Sequence, residues 1–230
     1  MRRTLEQLVD RDEPGWPLVK EWIAEAAIPV EILPRCERCD DELLAVQVTT
    51  RSPMGAIVHE SGGLLLDDGW LKVLGGSHPR LPWSVAGLTR DLGFWPDPDA
   101  SPRVLVIAVD VLGGIFAIDG GELGAAGHVH YFAPDELAWM DCEQRYTGWL
   151  SALVGGALPQ FYEELRWQGW QAEVAALAPD QGISFQPMLW TEESRPREKA
   201  SRRAVPLREL LDMAFEMAAQ LGAPPPEREP

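Results

Sequence analysis

The chain has 230 residues, 46% of them hydrophobic, and carries 36 acidic against 20 basic residues, for a net charge of −16. This length and composition allow one large buried core, and the negative field repels nucleic-acid phosphates and anionic lipid. We therefore expect no nucleic-acid partner and no membrane partner. No apolar run is long enough to span a bilayer, no secretory signal follows the first basic residues, and the three cysteines favour a reducing cytoplasm.

Helices are predicted at the N-terminus, with short strands after them. Residues 4–7 match a capping box, in which Thr4 and Gln7 bond to each other's backbone amides at the start of a helix. Apolar residues between 18 and 26 recur with helical spacing and stop before a proline. Residues 30–33 and 43–48 are apolar runs of strand length.

A β-hairpin is predicted around Asp67-Asp68-Gly69, because this turn sequence lies between apolar runs at residues 64–66 and 70–74. Residues 75–102 contain five prolines. They predict a loop with one helical turn, which Ser84 caps.

Three further strands are predicted in the middle of the chain. Residues 104–109 are a continuous branched-aliphatic run, typical of a strand covered on both faces. Glycine-containing turns separate this run from strands at residues 115–118 and 128–132. Short turns favour antiparallel pairing, so we expect an α+β fold with a largely antiparallel central sheet and helices from both chain ends packed on it.

Helices dominate the predicted C-terminal third. Short helices are predicted at residues 134–139, 146–154, 159–165 and 170–177, a strand at 183–188, a solvated basic loop at 191–204, and an amphipathic helix at 207–221 that Gly222 closes. The Pro-rich tail has nothing to bury. We therefore expect a single α+β domain over residues 1–222 and a disordered tail at residues 223–230.

Cys36-Glu37-Arg38-Cys39 is the most metal-like element of the sequence. Two thiolates at this spacing can share one zinc, which needs two more ligands. His128 and His130 are candidates from one strand face, but there is no second such cysteine pair and Cys142 stands alone. We therefore expect no metal and no cofactor, and interpret the pair as two loop thiols in solvent.

The acidic residues concentrate in the first two-thirds of the chain, on predicted turns and strand ends. The candidates for binding a basic protein partner are Asp67, Asp68, Asp119, Glu122 and Asp141, with Trp139 and then Trp83 as the apolar anchor that charges alone do not supply. The alternative stays open that the acids only keep the surface solvated and that Trp139 belongs to the core.

The chain also contains several long and unusual sequence words. They lie at residues 49–56, 69–71, 75–82, 110–114, 131–135, 166–167, 169–170 and 189–191. Over about residues 4–211 they resemble an uncharacterised bacterial family, catalogued as domain of unknown function 2625 (DUF2625). The resemblance implies a single-domain bacterial protein of unknown activity.

The middle segment has a second similarity. Its glycine-separated strands, Trp139 beside acids, and Tyr146-Thr147-Gly148-Trp149 at the start of a helix are similar to the SUKH group, which includes the Smi1/Knr4-type proteins. That resemblance implies an α+β fold whose bacterial members often act as immunity proteins against polymorphic toxins.

Two functions of different classes follow from these observations. The first is a non-enzymatic protein-binding domain, immunity-protein-like, whose acidic surface binds a basic protein. The second is a small-molecule-binding protein or enzyme with a cleft near His59, His78, Asp110 and Trp83. The phosphate-loop, zinc-protease and serine-hydrolase motifs are absent, so we assign no catalytic residue and favour the first. A deep pocket with converging polar groups would favour the second.

Overall fold

An antiparallel sheet whose strands follow one another in chain order forms the centre of the fold. The computed structural model describes residues 2–97 and 99–222. The seven strands are β1 (Val30–Leu33), β2 (Gly63–Leu66), β3 (Leu71–Leu74), β4 (Val104–Asp110), β5 (Ile115–Asp119), β6 (Val129–Ala133) and β7 (Ala138–Asp141). Each strand pairs antiparallel with the next, so β1 and β7 are the edges. The predicted α+β class and antiparallel sheet are confirmed.

Short helices surround this sheet, and a small second sheet follows it. The helices are α1 (Leu5–Leu8), α2 (Trp16–Ala24), α3 (Cys39–Val46), α4 (Pro53–Glu60), α5 (Val85–Asp91), α6 (Tyr146–Ala152), α7 (Leu158–Phe161), α8 (Trp170–Ala175) and α9 (Leu207–Leu221). A π-helical segment, Leu153–Ala157, joins α6 to α7. β8 (Gln181–Gln186) and β9 (Ser201–Pro206) form the two-stranded antiparallel sheet.

Helices cover both faces of the central sheet. Phe116 on β5 and Tyr131 on β6 are register partners and share one face, where Trp149 of α6 contacts Phe116 at 5.1 Å between ring centroids. Phe132, the next residue on β6, points to the opposite face and stacks on Phe215 of α9 at 4.5 Å. α4 packs against β2 and α6. Helices from both chain ends therefore lie on the sheet, as predicted.

The strand predicted at residues 43–48 is wrong, because this stretch lies largely in α3. Three acidic residues in the first turn of α3 favour a helix N-terminus, and Leu43 is fully buried. A short apolar run has no periodicity that separates a strand from a buried helix.

The helix predicted at residues 134–139 is also wrong, because the chain makes a tight turn there and returns as β7. The amides of Glu136 and Leu137 both donate to the carbonyl of Ala133, and Leu137 adopts φ of 56°. Trp139 then pairs in register with Phe132. The pairing with β6 outweighs the local helix-start signal of Pro134 and Asp135.

The basic loop predicted at residues 191–204 is wrong in part. Ser201–Pro206 form β9, and Arg197 is only 4% exposed. The Arg197 guanidinium donates to the carbonyl of Leu189 at 2.9 Å and lies 3.6 Å from a carboxylate oxygen of Asp135. The positive charges therefore hold the segment together. The predicted disorder of residues 223–230 lies outside the described residues, and the single domain over residues 1–222 stays a prediction.

The turn between β4 and β5 requires a glycine at position 114. A Cβ added to Gly114 would lie 2.2 Å from Oδ2 of Asp110 and 2.4 Å from the hydroxyl of Tyr131. Both of these groups are buried, so neither can move aside into solvent. The side-chain hydrogen of glycine is therefore what leaves room for the polar centre under this turn.

Replacing Gly114 by alanine should lower the free energy of unfolding by about 1–3 kcal/mol, because the new methyl group overpacks the buried centre. Gly155→Ala is the matched control, since a Cβ there meets nothing within 4 Å. In that helical segment it should be neutral or stabilise by up to about 1 kcal/mol. Urea denaturation of both variants measures the difference, and equal stabilities would contradict the prediction.

Candidate functional site

Asp110, at the end of β4, is the centre of a buried polar network. Its side chain is completely buried. Oδ1 accepts hydrogen bonds from the amides of Leu112 and Gly114, both at 2.8 Å. Oδ2 accepts from the hydroxyls of Tyr131 at 2.7 Å and Tyr162 at 2.9 Å. Because all of these partners belong to the fold, the carboxyl group fixes the turn and both tyrosines and does not face a ligand.

Arg166 lies in an aromatic cluster beside this network. Its guanidinium carbon is 4.3 Å from the ring centroid of Trp170 and 4.9 Å from that of Trp70, and its Nη2 is 2.5 Å from Oδ2 of Asp67. The Trp70 ring contacts Tyr162 edge-on at 5.4 Å, which joins the cluster to the Asp110 network. Asp67, one of the predicted partner-binding acids, therefore already has its partner inside the fold.

The predicted acids at the β5–β6 turn differ from each other in exposure. Asp119 is 2% exposed, and its Oδ1 accepts from the amides of Gly121, Glu122 and Leu123 at 2.6, 2.7 and 3.0 Å. Glu122 is exposed in the same turn. The structure therefore gives Asp119 a turn-closing role and leaves Glu122 available to solvent.

An apolar groove of about 320 Å³ lies beside the edge strand β7. Its lining includes Phe116, Trp149, Leu153 and Phe161, with Met140 and Asp141 at β7. Met140 is 44% exposed, although most large apolar side chains of the protein are buried. The predicted partner-binding residue Asp141 is exposed beside this groove, and its carboxylate pairs with Nδ1 of His128 at 3.0 Å.

Trp139, also on β7, points away from this groove. Its ring packs edge-on against Phe132 at 5.5 Å and against Phe94 at 6.2 Å, and it remains half-buried. The structure therefore places the predicted anchor on the face of the sheet opposite the groove, which is also the face to which the side chain of Asp141 points.

A second, more polar cleft of about 190 Å³ lies beside the β2–β3 hairpin and includes the predicted acid Asp68. Lys72 lines it, and its ammonium group donates to the carbonyl of Pro179 at 3.1 Å and lies 5.8 Å from the ring centroid of Trp83. Burial lowers the pKa of Lys72 to about 8. Sequence reasoning missed Lys72, although a single lysine inside an apolar strand is a visible signal.

The polar groups of this cleft bond mainly to each other or to the backbone. Arg80 forms a two-pronged ion pair with Glu31, in which Nη2 lies 2.9 Å from Oε2. Lys72 is engaged by backbone carbonyls, and the exposed Asp68 has no hydrogen bond or ion pair with another described residue. The cleft therefore lacks a set of unpaired polar groups that converge on one point.

The cleft predicted near His59, His78, Asp110 and Trp83 does not assemble as one site. Asp110 is sealed in the core, and Trp83 packs beside Lys72. His59 lies 3.1 Å from a carboxylate oxygen of Asp40, and its other ring nitrogen is 2.7 Å from Glu60. Nδ1 of His78 accepts from the amide of Arg80 at 3.1 Å. Each residue is engaged by its own neighbours.

The two thiols of Cys36 and Cys39 lie close together at the start of α3, with their sulfur atoms 3.7 Å apart. Within residues 2–97 and 99–222, no group of three or more His, Cys, Asp or Glu side chains is arranged to hold a metal ion. In the same part of the chain, no helix combines the length and the apolar character that crossing a bilayer requires.

The strand order, the helices on both faces and the buried Asp110 network define an α+β protein built on one antiparallel sheet. The family model described as "Protein of unknown function DUF2625" matches residues 5–210, so the chain belongs to this family and the predicted resemblance is confirmed. The similarity to the SUKH group stays a hypothesis.

Two relatives match most of the chain. The chain is 40% identical over 217 residues to the "Putative uncharacterized protein YbfG" of Escherichia coli (strain K12). The matched region covers 94% of this chain and 97% of the relative. It is 34% identical over 189 residues to an "Uncharacterized protein" of Haemophilus influenzae, covering 81% of this chain and 82% of the relative.

Replacing Asp110 by asparagine tests how the buried carboxyl group is protonated in the folded protein. Burial raises the pKa of Asp110, against the opposing hydrogen bonds from Tyr131, the backbone and Tyr162. The folded protein then binds the proton more tightly than the unfolded chain does, so the parent loses stability as pH rises from about 4, the ordinary value for aspartate. Asparagine does not titrate.

The free energy of unfolding of the parent, minus that of Asp110→Asn, should therefore fall as the pH increases through this window. Urea denaturation at a series of pH values measures it for both proteins, with circular dichroism to show that each is folded at every pH. A difference that rises with pH would refute the prediction. It would mean that the hydrogen bonds lower the pKa of Asp110 by more than burial raises it.

Proposed function

We propose that the protein is a non-enzymatic binding protein that takes up an extended, basic segment of a protein partner along β7. The observation that carries this proposal is an edge strand open to solvent and flanked by an apolar groove. All four residues of β7 are half-buried or exposed, whereas all five residues of the neighbouring β6 are buried. Within the described residues, β7 pairs with β6 alone.

The ladder geometry supports addition of another strand. The amide of Cys142 donates to the carbonyl of Val129 at 2.9 Å, which fixes the alternation of the antiparallel ladder. By that alternation, Met140 bonds toward β6, whereas the backbone groups of Trp139 and Asp141 point outward. An extended segment can pair with these outward groups, as in β-strand addition, where main-chain bonds give affinity and pockets give specificity.

Shape and charge select the kind of segment. The groove beside Met140 accepts an apolar side chain, and apolar contact in a desolvated pocket supplies the anchor that charges lack. Glu136, Asp141 and Glu143 are exposed at the two ends of β7, in a chain of net charge −16. Lysine or arginine residues beside the apolar residue of the partner would pair with these acids, and the negative field speeds their approach.

The enzymatic alternative has less support. The polar cleft at the β2–β3 hairpin has its cations paired to Glu31 or to backbone carbonyls, and the Asp110 carboxyl is sealed. An immunity-protein role would be one case of the proposed binding, with a basic toxin domain as the partner. We place this interaction in the cytoplasm, which the three unpaired cysteines support.

The test uses a synthetic peptide of alternating lysine and valine as a probe, with calorimetry for affinity and hydrogen exchange for the site. Binding should slow exchange of the Trp139 and Asp141 amides and weaken as salt increases. Met140→Lys should weaken binding at least tenfold, by loss of the apolar contact and by charge repulsion. Leu18→Lys is the matched control, since Leu18 is 42% exposed against 44% for Met140 but lies on α2.

Two substitutions at one position separate charge from backbone pairing. Asp141→Asn removes one negative charge and keeps the outward amide, so it should weaken binding in part and reduce its dependence on salt. Asp141→Pro also removes the outward amide, which an edge strand tolerates, so it should abolish binding. The proposal would be excluded if both Asp141 variants and Met140→Lys still bound the peptide as the parent does. It would also be excluded if the amides protected from hydrogen exchange lay away from β7.

A further inference from the structure

We propose that Cys36 and Cys39 form a redox-active dithiol that exchanges with small disulfides, with Cys36 as the attacking thiol and Cys39 as the thiol that completes the protein disulfide. The pair lies at the start of α3, away from β7, so this inference is independent of the proposed binding function.

The backbone already holds the two sulfur atoms near bonding distance. The turn closes with the Cys39 amide donating to the Cys36 carbonyl at 3.3 Å, and the Cys36 amide donates back to the Cys39 sulfur at 3.4 Å. The sulfur atoms are 3.7 Å apart. A disulfide bond is about 2.05 Å long, so rotation of the side chains brings the sulfurs together without unfolding the turn.

The two thiols differ in access, which assigns their roles. Cys39 is completely buried, and its sulfur lies 3.5 Å from the carbonyl of Ser61. A Cβ on Gly76 would come within 2.3 Å of that sulfur, so no reagent fits over it. Cys36 is only half-buried, with its sulfur 3.2 Å from the carbonyl of Gly76. A small disulfide therefore reaches Cys36 first.

Burial also raises the pKa of Cys39 to about 11, so only a small fraction of Cys39 is thiolate at neutral pH. Cys142, the remaining cysteine, lies after β7, and burial raises its pKa to about 12. It therefore provides an internal comparison for a thiol without a neighbouring partner.

The exchange balances with a small disulfide as the oxidant. The Cys36 thiolate attacks one sulfur of the small disulfide, that S–S bond breaks as the mixed disulfide forms, and the leaving thiolate takes up a proton. The Cys39 thiol then loses its proton to water, the resulting thiolate attacks the Cys36 sulfur, the mixed disulfide bond breaks, and the second small thiolate leaves and takes up a proton. In total, two protein thiols lose two protons and two electrons, and one small disulfide becomes two thiols.

The test equilibrates the folded full-length protein in mixtures of reduced and oxidised glutathione, alkylates the remaining thiols and maps each cysteine by mass spectrometry. The parent should form a Cys36–Cys39 disulfide that increases with the oxidised fraction, and Cys142→Ser should behave in the same way. Cys39→Ser should retain glutathione on Cys36, at least tenfold more than the parent does, because nothing completes the exchange. Cys36→Ser should take up none at position 39.

Circular dichroism shows whether each variant is folded, and the urea-unfolded parent is the positive control for oxidation. A folded Cys39→Ser protein that acquires no glutathione, or a parent that stays reduced in oxidised glutathione while its unfolded form oxidises, would overturn the proposal. Complete alkylation of both Cys36 and Cys39 at every ratio of reduced to oxidised glutathione would also overturn it.

Discussion

The hydrogen bonding of the Asp110 carboxyl group is the constraint on which the rest of the structure depends. A buried carboxylate is unfavourable unless donors surround it, and here the donors come from three separate parts of the chain. Leu112 and Gly114 belong to the β4–β5 turn, Tyr131 belongs to β6, and Tyr162 follows α7. All of these hydrogen bonds to Asp110 form only when the β4–β5 turn, β6 and the segment after α7 are in position. The Asp110 carboxyl group therefore couples the folding of these three parts.

This coupling extends to the β2–β3 hairpin through aromatic contacts. Tyr162 packs edge-on against Trp70, and Arg166 stacks over Trp70 while it pairs with Asp67 at the hairpin turn. Several of the sequence words that resemble DUF2625 therefore meet in one buried network. The sequence words that carry the family resemblance are therefore mainly residues of the buried network, and the residues of the proposed binding surface on β7 lie outside them.

Local turn chemistry made much of the sheet predictable. The hairpin at Asp67-Asp68-Gly69 and the turn after β4 are each predicted by a few consecutive residues. Elements whose state depends on distant partners were not predictable in this way. α3 and β7 were assigned to the wrong type because Leu43 is buried by other helices and Trp139 pairs with Phe132, and neither fact is local.

The same limit applies to the candidate site. Asp67 has the sequence features of a solvent-exposed turn acid, but its ion-pair partner Arg166 is 99 residues away in the chain. The cysteine spacing predicted that the thiols are neighbours. The interpretation of both as loop thiols in solvent is wrong, because Cys39 is buried in the first turn of α3 and Cys36 is half-buried, and this difference is the property that separates their chemistry.

The charge on β7 has two consequences that reinforce each other. An uncovered edge strand invites pairing with a second copy of the same chain, which is the usual route to aggregation. If two β7 strands paired, Glu136, Asp141 and Glu143 of both copies would be brought together, and like charges across a strand pair are destabilising. The acids therefore disfavour self-association without covering the outward backbone groups of Trp139 and Asp141. The same charges would attract a basic strand, so in the proposed binding function the side chains that protect the edge would also select the partner.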